Sequence, residues 1–96
     1  MVDRDDAEKD LVRLRDAIDR VDEVLVRLLN QRAKYAVEIG ERKGHLGLPI
    51  YAPDREKQVL QHVEETSAGP LATSAMRRLF ERIIDETRRV EREVSQ

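Results

Sequence analysis

The chain has no cysteine, no tryptophan, and only three aromatic residues (Tyr35, Tyr51 and Phe80) among 96. Without cysteine there is neither a disulfide framework nor a thiol nucleophile. So few aromatics leave no stacking platform for a single strand of nucleic acid. An excess of one sign of charge is missing as well. Charged residues make up 40% of the chain, yet the formal net charge is −2, whereas a nucleic-acid binder would be clearly basic. No apolar run approaches the roughly 18 residues of a membrane span. The polar, acidic stretch from Met1 to Asp10 is not a signal peptide. These absences lead to the expectation of a cytoplasmic protein with neither nucleic-acid nor membrane partners. The length fits a single domain, 1–96, with its core over about 8–94, and so small a core gains from oligomerisation.

What is present is helical periodicity. From Leu11 the apolar residues fall at Leu14, Ile18, Val21, Leu25 and Leu28, in alternating steps of three and four. Nothing stops this helix before Gly44, so it is expected over about 6 to 43, with residues 1–6 frayed and Lys43-Gly44 as its C-terminus. Such a helix, roughly 55 Å long, is too long for one small globule to cover, so it must extend beyond its own chain's body or lie against a second copy. Residues 44–52 read as loop. Pro53 opens a short second helix ending near Thr66 to Gly69. Pro70 opens a third, whose stripe is Leu71, Met76, Leu79, Phe80, Ile83, Ile84, Val90 and Val94. The fold class is all-α: long helix, short helix, long helix, with no strand signal.

The stripe of the first helix is broken where chemistry enters. Four residues after Leu28 comes Arg32, a guanidinium in a slot meant for leucine. Burying an unpaired charge costs several kcal/mol, roughly, so Arg32 either turns aside into water or meets an anion, and the second is the expectation. Lys43 lies about three turns further on the same side. The third helix repeats the oddity: after Phe80 and Ile84, the core-facing places are held by Thr87 and Glu91. In the second helix Arg55 and Glu56 sit one turn before Val59 and Leu60. The chain thus aims cations at 32, 43 and 55, and hydrogen-bonding groups at 56, 87 and 91, toward its core. No catalytic triad, Cys-His pair or metal-ligand cluster accompanies them, so no metal and no cofactor are expected. Arg15 is about 25 Å from Arg32 along one helix. Two antiparallel copies crossing near Val24 would bring Arg15 of one level with Arg32 of the other. The arginines Arg77, Arg78, Arg82, Arg88, Arg89 and Arg92 read as a solvated face, with Arg88 available as a local partner for Glu91.

These pieces, in order, resemble the all-helical class of chorismate mutases. The matching segments are Leu14-Arg15 with Ile18-Asp19 and Val21-Asp22, Leu28-Leu29-Asn30-Gln31-Arg32, Ile39-Gly40-Glu41-Arg42-Lys43, Pro49-Ile50-Tyr51, Arg55-Glu56, and Leu79-Phe80 through Ile83-Ile84 to Thr87. The resemblance runs from about Leu11 to Glu91. It implies an intertwined homodimer that converts chorismate to prephenate on the route to phenylalanine and tyrosine. It further implies that Arg32, assisted by Thr87, holds one carboxylate. Lys43 and Arg15 from the partner chain hold the other, and Lys43 also faces the ether oxygen. Glu56 accepts from the ring hydroxyl, helped by a backbone amide near Ala52, with Arg55 ordering that corner. Glu91 contacts the ether oxygen.

Three positions depart from the family pattern. Ala52 stands where many relatives have an aspartate, removing an N-cap worth about 1 kcal/mol. Thr87 replaces the commoner serine. Glu91 replaces the glutamine of the best-known relatives. A carboxylate can only accept, so Glu91 must be protonated to donate, and kcat/KM is expected to fall as pH rises through its titration. Three functions are compatible with these residues: chorismate mutase, a pyruvate-releasing lyase acting on isochorismate, and a non-catalytic helical dimerisation or regulatory module. The near-complete set of pocket residues favours the first. A helical dimer with neither activity would select the third, unless a partner enzyme is required for activation.

Overall fold

A computed structural model describes residues 3–95. Its three helices are α1 (Arg4–Leu46), α2 (Pro53–Thr66) and α3 (Thr73–Val94), and no strand occurs among the described residues. The all-α class read from the periodicity holds. No described helix is long and apolar enough to cross a membrane.

Three boundaries differ from the sequence reading, each for a local reason. Residues 4–6 are helical, because the Asp3 carboxylate accepts from the Asp5 backbone N–H at 3.2 Å and caps the first turn; Met1 and Val2, also read as frayed, lie outside the described residues. At its other end α1 runs past Gly44. The stop is Gly47, whose φ of 67° suits glycine. There the Leu48 N–H donates to the Lys43 carbonyl at 2.9 Å and the Gly47 N–H to the Gly44 carbonyl at 3.4 Å, which satisfies the last carbonyls of the helix. The connection is therefore shorter than the 44–52 loop. Pro70 does not open α3. It follows Gly69, whose φ is 81°, and the helix starts at Thr73 behind an Ala72 that offers no capping side chain. Leu71 accordingly falls outside α3 and is exposed.

The chain divides into two compact units, Met1–Gln31 and Arg32–Gln96. In the first, the stripe of Leu11, Leu14, Ile18, Val21, Leu25 and Leu28 is uncovered, each residue between 47% and 59% exposed. A contiguous apolar face of this kind marks an interaction surface.

The second unit holds the core. Ala36 of α1, Leu60 of α2 and Ile84 of α3 are its buried apolar side chains, joined by Thr87, and α2 packs along α3. Gly40 and Gly44 let α1 meet α3 at backbone distance. A Cβ at Gly40 would stand 2.6 Å from the Glu91 carbonyl oxygen, and one at Gly44 would stand 2.6 Å from that of Ser95. Glycine therefore costs helix propensity at 40 but permits the approach that brings Glu91 to α1.

Candidate active site

A cavity of about 420 Å³ opens within the Arg32–Gln96 unit. Arg32, Ile39 and Lys43 reach it from α1, Ala52, Arg55 and Glu56 from the start of α2, and Ile84, Thr87 and Glu91 from α3. Seven of the eight residues singled out in the sequence thus share one wall system: Arg32, Lys43, Ala52, Arg55, Glu56, Thr87 and Glu91. The eighth, Arg15, belongs to the Met1–Gln31 unit and does not line the cavity.

Arg32 is half-buried and donates from Nη1 to Thr87 Oγ1 at 2.8 Å. The hydroxyl gives its own proton back to its helix, toward the carbonyls of Ile83 at 3.0 Å and Ile84 at 3.2 Å. Thr87 is therefore a fixed acceptor that orients the guanidinium. This is the only protein hydrogen bond from Arg32 among the described residues, so most of its five donors remain for a ligand. Burial holds the Arg32 guanidinium below its ordinary value and the charge of Arg55 adds to that, while Glu91 opposes both. The cation is thus under-compensated, the condition in which an anion binds.

Lys43 is held at two points. Its ammonium donates to the Ile50 carbonyl at 2.9 Å and lies 2.9 Å from Glu91 Oε1, the two side chains being 18% and 15% exposed. The Glu91 pairing is an ion pair by distance only. No donor is aimed at Glu91 Oε1, which is buried and without a hydrogen bond. Glu91 therefore pairs with Lys43 across the helix interface and not with Arg88, the neighbour one turn away. Ala52 provides no side-chain cap for α2.

Sequence reasoning missed Arg88. It lies on the cavity wall, only 23% exposed, instead of on a solvated face. It grips Glu56 at two points, Nε to Oε2 at 3.0 Å and Nη2 to Oε1 at 2.5 Å, and its guanidinium lies over the Tyr51 ring at 5.1 Å. The hydrogen bond it donates to Glu56 is the main cause that raises its pKa above the ordinary arginine value. The signal was available: Arg88 follows Ile84 by four residues and precedes Glu91 by three, which puts all three on one side of α3. The remaining arginines behave as a surface set. Arg77 pairs with Glu64 and Glu81, and Arg82 with Glu86. Among the described residues no cluster could hold a metal ion.

Fold and cavity together define a class: segments of three helices around a small pocket lined by the cations Arg32, Lys43, Arg55 and Arg88. The family model for chorismate mutase type II matches residues 14–92. The chain belongs to the type II chorismate mutase family. It is 42% identical over 82 residues to the bifunctional chorismate mutase/prephenate dehydratase of Neisseria gonorrhoeae, an alignment covering 85% of this chain and 22% of the relative. The protein of the same description from Aquifex aeolicus is 36% identical over 90 residues, covering 90% of this chain and 25% of the relative. The chain thus spans about a quarter of the length of these curated relatives. Among solved structures, chorismate mutase (form II) from Thermus thermophilus superposes with a TM-score of 0.83 at 34% identity, covering 84% of this chain and 92% of that one.

Proposed function

We propose that this chain is a chorismate mutase, an isomerase that rearranges chorismate to prephenate in phenylalanine and tyrosine biosynthesis. One observation carries the reading. Arg32, Lys43 and Arg55, three cations from two helices, line a single cavity with Thr87 and the buried oxygen of Glu91. A small dicarboxylate is the guest that such a site suits. In the rearrangement a C–O bond breaks while a C–C bond forms, without a covalent intermediate. The chain's part is then physical. Separate cations on the two carboxylates select the compact conformer. Donors fixed at the ether oxygen stabilise the charge that develops there more than they stabilise the ground state. Arg32 with Thr87 takes one carboxylate, Lys43 takes the other and faces the ether oxygen, and Glu91 donates to that oxygen when protonated. Glu56 accepts from the ring hydroxyl, with a backbone amide near Ala52 assisting and Arg55 ordering the corner.

The reading includes a cytoplasmic homodimer in which Arg15 of the partner subunit completes each pocket. The uncovered stripe on Met1–Gln31 supports it, as does the register that sets residues 15 and 32 symmetrically about Val24. The test is a chorismate assay on the wild type and on Arg32→Ala, with oligomeric state measured alongside. Prephenate formation by a dimer, lost in Arg32→Ala, is expected. Pyruvate release from isochorismate, or a dimer inert toward both substrates, would overturn the assignment.

A further inference from the structure

The cavity wall carries an ion pair of which one member, Arg88, has no part in the chemistry proposed above. Arg88 and Glu56 are joined by two parallel hydrogen bonds, both side chains 23% exposed, with Tyr51 under the guanidinium plane. Such a fork fixes direction as well as charge. The pair links α3 to the first turn of α2, so it sets where the Glu56 carboxylate points. It engages one acceptor site on each oxygen, and Glu56, which lines the cavity, keeps further acceptor capacity. We propose that Arg88 is a positioning residue, which holds Glu56 aimed so that this carboxylate selects a substrate bearing a ring hydroxyl.

This rests on the mutase reading and on Glu56 meeting that hydroxyl. Arg88 touches Glu56 and acts through it. Lysine cannot replace it, because an ammonium is a point charge without the two-pronged fork and does not stack on Tyr51 in the same way. The hydroxyl stays on the ring throughout the rearrangement, so its hydrogen bond contributes equally before and in the transition state. Loss of its aim therefore appears in KM and not in kcat.

The experiment compares the wild type, Arg88→Lys, Glu56→Gln and the double variant on chorismate and on its analogue lacking the ring hydroxyl. Arg88→Lys is expected to raise KM for chorismate about tenfold with kcat nearly kept, and to leave KM for the deoxy analogue unchanged. In the Glu56→Gln background it should add little further loss, since the residue it positions no longer forms the pair. Additive losses, equal effects on both substrates, or a fall in kcat with KM unchanged would overturn the proposal, the last pattern being that of a purely structural role. A wild-type chain that does not rearrange chorismate overturns the functional reading itself, which separates the two failures.

Discussion

Arg32 of α1 and Thr87 of α3, 55 residues apart, are tied by a 2.8 Å hydrogen bond in which the guanidinium donates to a hydroxyl already anchored to its own helix. The bond orients a cation without neutralising it. Burial and Arg55 hold that cation below its ordinary value. The sign follows: a lowered value in a basic group means the fold disfavours its charged form. Arginine is charged throughout the neutral range, so this cost is constant there and is relieved only in strong alkali. Arg32→Met is therefore expected to move the urea midpoint upward in the absence of ligand while lowering kcat/KM by at least about 100-fold. A variant that unfolds earlier than wild type would show that Arg32 stabilises the empty site.

Thr87→Val keeps the shape but removes the acceptor from Arg32 and the back-bond to Ile83. We expect a loss of about 1–2 kcal/mol in denaturant titration and a raised KM, with Thr87→Ser close to wild type. Equal behaviour of the valine and serine variants would show that the hydroxyl has no part in orienting the guanidinium.

Gly40→Ala should invert the usual helix-propensity gain of about 1 kcal/mol. The new Cβ would meet the backbone of Glu91, 2.6 Å away at the carbonyl oxygen, and backbone does not step aside. The expected result is a destabilisation of about 1–3 kcal/mol, together with reduced kcat/KM because Glu91 is displaced from Lys43. A stability measurement and an activity assay on the same preparation check both halves.

For Glu91 the expectation concerns the donor at the ether oxygen. The carboxylate can only accept, whereas Glu91→Gln offers an amide donor to the ether oxygen at every pH. Glu91→Gln is expected to keep or raise kcat/KM, and Glu91→Ala to lower it by about tenfold or more. Equal losses in the two variants would remove position 91 from the donor role.

Arg15 is tested by mixing. Arg15→Ala and Arg32→Ala chains should each be inactive alone. Unfolded together and refolded, they should recover about a quarter of wild-type activity, because half the dimers are mixed and each of those has one intact site. No recovery would mean that the partner subunit does not supply Arg15.

Much of this fold was legible because a helical stripe survives any tertiary context. The three helices and the sides carrying Arg32, Lys43, Thr87 and Glu91 follow from spacing alone. Where the helices stop depends on local geometry that composition does not show. Gly44 looked like a cap, but its lack of a side chain serves contact with Ser95, and the left-handed turn falls to Gly47. Pairing was the least legible feature. Arg88 sits among five other arginines that do face outward in sequence pattern, and its partner Glu56 is 32 residues away. A local rule joins Glu91 to Arg88, whereas the close approach of α1 and α3 gives Glu91 to Lys43 instead.

Lys43 fastens the polypeptide that follows it at both of its ends. Its carbonyl accepts from the Leu48 amide and its ammonium donates to the Ile50 carbonyl. The segment so tethered carries Ile50, Tyr51 and Ala52, and with Tyr51 the surface on which Arg88 rests. Charge and architecture are thus vested in a single lysine. Truncating it would slacken the floor of the chamber as well as empty it of an ammonium, and the measured defect would exceed what electrostatics alone accounts for.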